Sequence, residues 1–146
     1  MKIKLKKLDE NAIMPTNGTK YSAGYDLYAL TKTGVQRVLT GQTEKIGTGI
    51  SVAIPEGYFG AIFARSGLAT KQGLRPANCV GVIDADYRGE IIVALHNDSN
   101  ECKSVHDGDR IAQLVVLPYL SVEFEEVEEL EDTERGDNGF GSTGVS

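Results

Sequence analysis

The sequence predicts an all-β fold, a barrel or a sandwich built from short strands. Apolar and polar residues alternate over many short stretches, and turn-forming residues separate those stretches. Glycine occupies 17 of the 146 positions, which suits a chain that turns often. Residues 65–71 are the one stretch with a convincing helical pattern. These three features together favour an all-β barrel or sandwich.

Length and composition indicate one globular domain, because 146 residues can bury a substantial core. The apolar content of 40% and the charged content of 25% are ordinary for such a domain. The net charge of −6 argues against a nucleic-acid partner, since nucleic-acid binders normally present a basic face. A small anionic substrate remains compatible with this charge. The two cysteines, Cys79 and Cys102, make no disulfide framework and indicate a reducing compartment.

The N-terminal residues predict a first strand, since Ile3 and Leu5 alternate with lysines. No long apolar run follows the lysines, so the sequence predicts neither a signal peptide nor a transmembrane segment. Residues 9–22 are rich in small polar side chains and are expected to form a loop.

A second strand is expected at residues 23–29, where a glycine opens a short apolar stretch. Tyr25 and Leu27 are expected to pack against the core. Asp26 lies between them, and a carboxylate inside an apolar strand needs a partner or a cation.

Two further strands are expected at residues 50–54 and 58–63, joined by a turn that contains proline and glycine. The helix at residues 65–71 follows, and a glycine closes it. Arg65 and Ser66 lie at its start, where a guanidinium, a hydroxyl and unsatisfied backbone N–H groups would suit an anion. The alternative for the serine is a plain helix N-cap.

Residues 80–83 predict a strand, and residues 91–95 are expected to return beside it as the second strand of a hairpin. The tip of this hairpin is unusually polar. An ordinary solvated turn is the alternative to a functional loop. The tip residues are Asp84, Asp86, Tyr87, Arg88 and Gly89.

Residues 110–117 predict a buried strand with two polar interruptions, Arg110 and Gln113. A final strand is expected around residues 122–127, where apolar residues alternate with glutamates. The acidic residues on both sides predict a solvated face or an extended arm. Residues 135–144 are glycine-rich and are expected to be flexible in isolation.

Five separated segments resemble the motifs of the trimeric deoxyuridine triphosphatase (dUTPase) family. They occur in the family's order and span nearly the whole chain, so the set is far more specific than any one motif. Ala64 and Asn138 depart from the family's commonest residues, proline and glycine, and the second departure affects only the closing geometry of the tail. The segments are AGYDL at 23–27, RSGLA at 65–69, GVIDADYRGE at 81–90, GDRIAQLV at 108–115 and RGDNGFGSTG at 135–144.

The resemblance implies a jelly-roll-like β-barrel of residues 1–130 and a C-terminal arm of residues 131–146 that closes over an active site. It implies hydrolysis of dUTP to dUMP and pyrophosphate with magnesium as cofactor. That reaction would limit uracil incorporation into DNA and supply dUMP for dTMP synthesis. The implied assembly is a homotrimer whose active sites are shared between subunits, inside the cell, in the cytoplasm or in the nucleus of a eukaryotic or viral host.

In this resemblance Asp84 is the general base that activates a water for in-line attack on the α-phosphorus. Asp26 is the group that holds magnesium through metal-bound water, with Gln113 assisting on the substrate side. Magnesium keeps several waters, so one protein carboxylate and the triphosphate would suffice.

The resemblance assigns the triphosphate to a cradle formed by Arg65, Ser66 and Gly67. Arg135 is implied to clamp the γ-phosphate, a role that suits a planar and permanently charged guanidinium. Arg110 is either a phosphate contact or half of a structural ion pair, and we favour the ion pair.

Specificity for uracil is implied to come from the backbone of Gly81, Val82 and Ile83, with Asn78 nearby. Cytosine would reverse the donors and acceptors, and such a mismatch can lower efficiency about 10⁴-fold. The 5-methyl group of thymine would collide with the tight turn. Tyr87 would lie against the sugar and leave no room for a 2′-hydroxyl.

The tail is implied to act as a lid. Phe140 would stack on the uracil ring, and Gly141 and Ser142 would join the substrate site. We expect Arg135 and Phe140 to act on the site of a neighbouring subunit.

Three other functions fit parts of the sequence. A deoxycytidine triphosphate deaminase is the first, because it resembles the dUTPase family in fold. It would need a glutamate base where this chain has Asp84, Asp86 and Tyr87. A non-catalytic binding protein on the same scaffold is the second alternative. A zinc site at Cys102 and His106 is the third, and two ligands are too few for it.

Overall fold

The structure, a computed structural model, describes residues 1–139 and confirms the predicted all-β class. Within these residues it contains eleven strands and one helix. They are β1 (Lys4–Lys7), β2 (Tyr25–Tyr28), β3 (Val35–Val38), β4 (Thr43–Gly47), β5 (Ile50–Ala53), β6 (Tyr58–Phe63), α1 (Ser66–Gln72), β7 (Leu74–Pro76), β8 (Gly81–Ile83), β9 (Ile92–Asn97), β10 (Lys103–His106) and β11 (Arg110–Pro118).

The strands form small antiparallel sheets that surround a single hydrophobic core. One sheet has the order β2-β11-β6-β8 and another has the order β4-β9-β7, while β1 pairs with β5 and β10 pairs with β3. Fully buried side chains come from different sheets and meet inside, among them Leu27, Ile46 and Leu95. This arrangement confirms the predicted jelly-roll-like barrel of short strands.

Several elements lie where the sequence predicts them. The strand expected at residues 58–63 is β6, and residues 110–118 form β11, the longest strand described. The helix ends at Gly73, whose φ of 70° is left-handed and whose N–H bonds to the carbonyl of Ala69. The alternative role of Ser66 as N-cap is wrong, because Arg65 holds that position and Ser66 is already helical.

The predicted hairpin between residues 80–83 and 91–95 is wrong. Strand β8 pairs with β6, whereas β9 pairs with β4 and β7 in a different sheet. The residues between them, 84–91, therefore cross from one sheet to the other. The physical reason lies at Ile91, whose N–H bonds to the carbonyl of Ile50 and not to β8.

The predicted final strand around residues 122–127 is also wrong for the single chain. Residues 119–139 contain no strand or helix, and Val122 and Phe124 are 66% and 94% exposed. An alternating segment becomes a half-buried strand only when it has a surface to cover. The predicted boundary at residue 130 stays a prediction, although β11 already ends at Pro118.

No helix within residues 1–139 is long and apolar enough to cross a membrane.

Candidate functional site

Two arginines provide the partner that the Asp26 carboxylate needs inside an apolar strand. Arg65, just before the helix, donates through Nε to Asp26 Oδ1 at 2.8 Å, and Arg110 on β11 lies 3.4 Å from Oδ2 through Nη1. The ion-pair role favoured for Arg110 agrees with this geometry.

The expected packing of Leu27 is correct, but Tyr25 is 44% exposed and does not join the core.

The ion pair between Asp26 and Arg65 lies in a groove of about 400 Å³, which we call the Arg65 groove. Gln113 is directly opposite Asp26 in the β2–β11 pairing, and its Nε2 donates to the carbonyl of Ala64 at 2.9 Å. Its side chain packs so closely on Gly24 that a Cβ there would collide with it. The lining residues are Asp26, Arg65, Ser66, Gly67, Leu68, Lys71, Gln72 and Gln113.

The groove combines cations with hydrogen-bond donors in a chain of net charge −6. Lys71 was missed by the sequence reasoning. It lies four residues after Gly67, which puts the two on one helix face. Asp26 is the one carboxylate among the lining residues. Within residues 1–139 there is no group of three or more His, Cys, Asp or Glu residues that could hold a metal ion.

The second group of predicted site residues lies in and next to residues 84–91, a segment that we call the Asp84 turn. The backbone N–H of Tyr87 bonds to the carbonyl of Asp84 at 3.1 Å, and the Tyr87 hydroxyl donates to the carbonyl of Glu90 at 3.0 Å. Asp84 and Tyr87 are exposed. The polar side chains therefore face solvent while the turn itself is held by backbone contacts.

Strand β8 leads into this turn along an edge of the four-stranded sheet. Gly81 is buried beside the side chain of Asn78, and Ile83 packs on the core. Val82 between them is 60% exposed. Because β6 occupies only one side of β8, the backbone groups on its other side have no neighbouring strand within the described residues.

The two groups do not meet within one chain. β2 and β8 are the opposite edges of the sheet. Across the sheet, Gln113 of β11 is opposite Asp26 of β2 on one side and Phe63 of β6 on the other. Further along β6, Gly60 is opposite Ile83 of β8. Three strand spacings of about 4.8 Å and four residues of about 3.3 Å separate Asp26 from Asp84, roughly 14 Å across the sheet and 13 Å along it.

The predicted residues of the tail are described only in part. Arg135 is exposed and donates through Nε to the carbonyl of Asn138 at 2.9 Å, so it stays within its own turn. It belongs to neither of the two groups above. Phe140, Gly141 and Ser142 lie outside the described residues.

The chain is similar to proteins of one known family along nearly its whole length. The family model described as dUTPase matches residues 10–144. The deoxyuridine 5′-triphosphate nucleotidohydrolase of Nautilia profundicola is 48% identical over 144 residues, which cover 99% of each chain. The protein of the same name from Corynebacterium glutamicum is 48% identical over 97% of this chain and 94% of its own.

Solved structures are similar as well. A mutant dUTPase of Staphylococcus bacteriophage 80alpha with dUpNHpp is 31% identical, with a TM-score of 0.88 over 99% of each chain. A mutant dUTPase from phage phi11 of S. aureus, described as revealing the coordination of a structural Mg(II) ion, is 28% identical. Its TM-score is 0.81 over 90% of this chain and all of that chain.

Proposed function

The chain belongs to the dUTPase family, and from this premise we propose that it hydrolyses dUTP to dUMP and pyrophosphate. The observation that carries the proposal is the Arg65 groove, a cationic recess in an acidic protein, formed by segments far apart in the sequence. Such a recess suits a polyphosphate, because guanidinium and ammonium groups pair strongly with phosphate oxygens.

The triphosphate would lie along the groove in contact with Arg65, Ser66 and Gly67. A planar guanidinium already fixed by Asp26 pays little entropy when it binds phosphate oxygens. Gln113 would complete this contact surface, since it is held by the carbonyl of Ala64.

Magnesium fits the same groove. Asp26 would hold it through metal-bound water, because the carboxylate has lone pairs left after its two arginine contacts. When bound, the metal would neutralise charge that develops on the phosphate oxygens. The remaining ligands would be water and the triphosphate itself.

Asp84 would serve as the general base. Its carboxylate takes a proton from water as the water oxygen forms a bond to the α-phosphorus, and the bond from that phosphorus to the bridging oxygen breaks to release pyrophosphate. Asp84 is exposed in the isolated chain, so this chemistry requires a second surface that covers it.

The free edge of β8 supports the specificity proposal. The backbone of Gly81, Val82 and Ile83 has donors and acceptors on the side away from β6, where the uracil edge would bind. Cytosine would present the reverse pattern and leave buried groups unpaired. Asn78 lies beside this edge, and Tyr87 would lie against the deoxyribose.

We propose a homotrimer with shared active sites. Within one chain Asp26 and Asp84 lie roughly 19 Å apart by the sheet spacings above. A nucleotide held at both groups would therefore bridge two chains. Residues 131–146 would be a third contribution, with Arg135 clamping the γ-phosphate and Phe140, Gly141 and Ser142 closing on the base and phosphates of a neighbour's site.

The surface of the four-stranded sheet supports assembly. Ile62 and Leu114 point into the core, so their strand neighbours Phe63 and Val115 point to the other face. That outer face is apolar and only partly buried in one chain. An apolar sheet face of this kind is typical of a subunit interface. Its residues on β6 and β11 are Phe59, Phe63, Val115 and Leu117.

In the cell, this activity would remove dUTP before it enters DNA and would supply dUMP for dTMP synthesis. It would act in the compartment that contains the deoxynucleotide pool, the cytoplasm or a nucleus.

A pyrophosphate-release assay with dUTP, dCTP, dTTP and UTP, each with and without Mg²⁺, tests the proposal. We expect rapid release from dUTP alone and a strong loss of rate when Mg²⁺ is chelated. Ammonia release from dCTP would favour the deaminase. Binding of dUTP with no pyrophosphate release would favour a non-catalytic protein on this scaffold.

A further inference from the structure

The Asp84 turn is fastened to the barrel from one short segment, residues 48–51, which covers the bend after β4 and the start of β5 and which we call the corner. The hydroxyl of Ser51 donates to the carbonyl of Arg88 at 2.7 Å. The hydroxyl of Thr48 donates to the carbonyl of Ile91 at 2.6 Å. Two side chains of one corner thus hold two carbonyls near the C-terminal end of the turn.

The backbone of the corner adds two more bonds. The N–H of Gly49 donates to Glu90 Oε1 at 2.8 Å, and the N–H of Ile91 donates to the carbonyl of Ile50 at 2.9 Å. Gly49 has a left-handed φ of 68°, and a Cβ there would come within 2.8 Å of the Ala12 side chain. The corner therefore has a fixed shape that presents its donors to the turn.

The two hydroxyls are buried at a cost. Thr48 and Ser51 are 1% and 7% exposed, and within residues 1–139 Asn97 is the other buried polar side chain. A hydroxyl taken out of water destabilises a fold unless it is hydrogen-bonded, and valine or alanine would fill the same space without that cost. Since both hydroxyls bond to the same turn, their specific contribution is the position of that turn.

The fastening extends to Tyr87. The Tyr87 ring lies directly over Gly89, and its hydroxyl donates to the carbonyl of Glu90, the residue whose side chain the corner holds. The N–H of Tyr87 bonds in turn to the carbonyl of Asp84. A shift of Arg88 or Ile91 would therefore change the place of the Tyr87 ring.

We propose that Thr48 and Ser51 are positioning residues that set the selectivity for deoxyribose over ribose. They hold the turn so that Tyr87 lies where a 2′-hydroxyl would otherwise fit. This inference rests on the proposed function, in which Tyr87 borders the sugar. Neither hydroxyl touches the substrate, so the effect passes through the backbone of the Asp84 turn.

The test compares the ratio of kcat/KM for dUTP and UTP in matched variants. Thr48→Val keeps the side-chain shape and removes the bond, whereas Thr48→Ser keeps the bond and removes a methyl group. We expect Thr48→Val and Ser51→Ala to lower the ratio about threefold to tenfold, the scale of one hydrogen bond. Thr48→Ser should keep the wild-type ratio. Thr43→Val, which removes an exposed hydroxyl at the start of β4 that bonds to His96 on β9, should also keep it.

A purely structural role predicts a different result. The melting temperature would then fall in Thr48→Val and Thr48→Ser alike, and the selectivity ratio would stay unchanged in both. That result overturns the inference. If Thr48→Val does not fold, an unchanged selectivity ratio in Ser51→Ala overturns it instead. A wild-type enzyme that does not hydrolyse dUTP overturns the proposed function instead, so the two failures are distinguishable.

Discussion

The Arg65 groove and the Asp84 turn are built in opposite ways. In the groove, Asp26 on β2 pairs with Arg65 at the helix start, and Gln113 on β11 donates to the carbonyl of Ala64. The Asp26 and Arg65 side chains are only 21% and 29% exposed. In the turn, backbone contacts and buried hydroxyls fix the chain, while Asp84 and Tyr87 face solvent. One chain therefore completes the phosphate side of the proposed site, whereas the nucleoside side needs a covering surface.

The largest expected effect is at the turn. Asp84→Asn should lower dUTP turnover by at least about 10²-fold, the usual scale for loss of a general base. KM should change little, because the groove that is proposed to bind the phosphates is untouched. Steady-state kinetics on purified protein measure both constants. Asp86→Asn, on the same exposed turn, is the matched control, and its dUTP turnover should fall far less. An equal fall would mean that the negative charge of the turn matters and that Asp84 is not a general base.

Subunit mixing tests whether the exposed turn is completed by a neighbour. An Asp84→Asn chain and a chain truncated after residue 134 should each be nearly inactive. After the two are unfolded together and refolded, we expect turnover well above either parent, because some sites combine an intact Asp84 with an intact tail. Mixing each parent with itself is the control. Absence of any rescue in the joint sample would argue that each chain completes its own site.

A smaller effect is expected in the groove. Asp26→Asn keeps the size of the side chain but removes the charge that pairs with Arg65 and Arg110. The concentration of Mg²⁺ that gives half-maximal activity should rise about tenfold, and kcat should fall by a similar factor, about 1.4 kcal/mol. Asp98→Asn breaks an ion pair of similar geometry with Arg75 and is the control. An unchanged Mg²⁺ dependence in Asp26→Asn would remove Asp26 from its proposed role.

Elements that are buried within one chain are predictable from the sequence. In β6 and β11, apolar side chains and turn residues mark both strands, and the structure places them as expected. The short strands β3 and β10 were not predicted, because their apolar residues are few and only Val38 and Val105 are buried in the core.

Pairing partners are harder to predict, since they depend on contacts far apart in the sequence. The polar stretch after β8 correctly indicated a turn. The alternation of apolar and polar residues does not show which strands pair, however, and the predicted hairpin was wrong. The need of Asp26 for a partner was evident, while the choice of Arg65, 39 residues away, was not. The strand expected at residues 122–127 failed because its apolar side chains have nothing to cover within one chain.

The smallest predicted effect is at the tail and sharpens the same distinction between site and scaffold. Phe140→Ala should raise the KM for dUTP about fivefold, which is the lower end of the range of about 1–3 kcal/mol for stacking of a base on an aromatic ring. The melting temperature should stay within about 2 °C of the wild type, since Phe140 is proposed to contact nucleotide and not the core. Calorimetry without nucleotide and steady-state kinetics measure the two quantities. Phe124→Ala, at an aromatic residue that precedes the arm and is 94% exposed in one chain, is the comparison variant. A loss of thermal stability in Phe140→Ala with unchanged KM would assign Phe140 to the scaffold, and the nucleoside side of the site would then lack its lid.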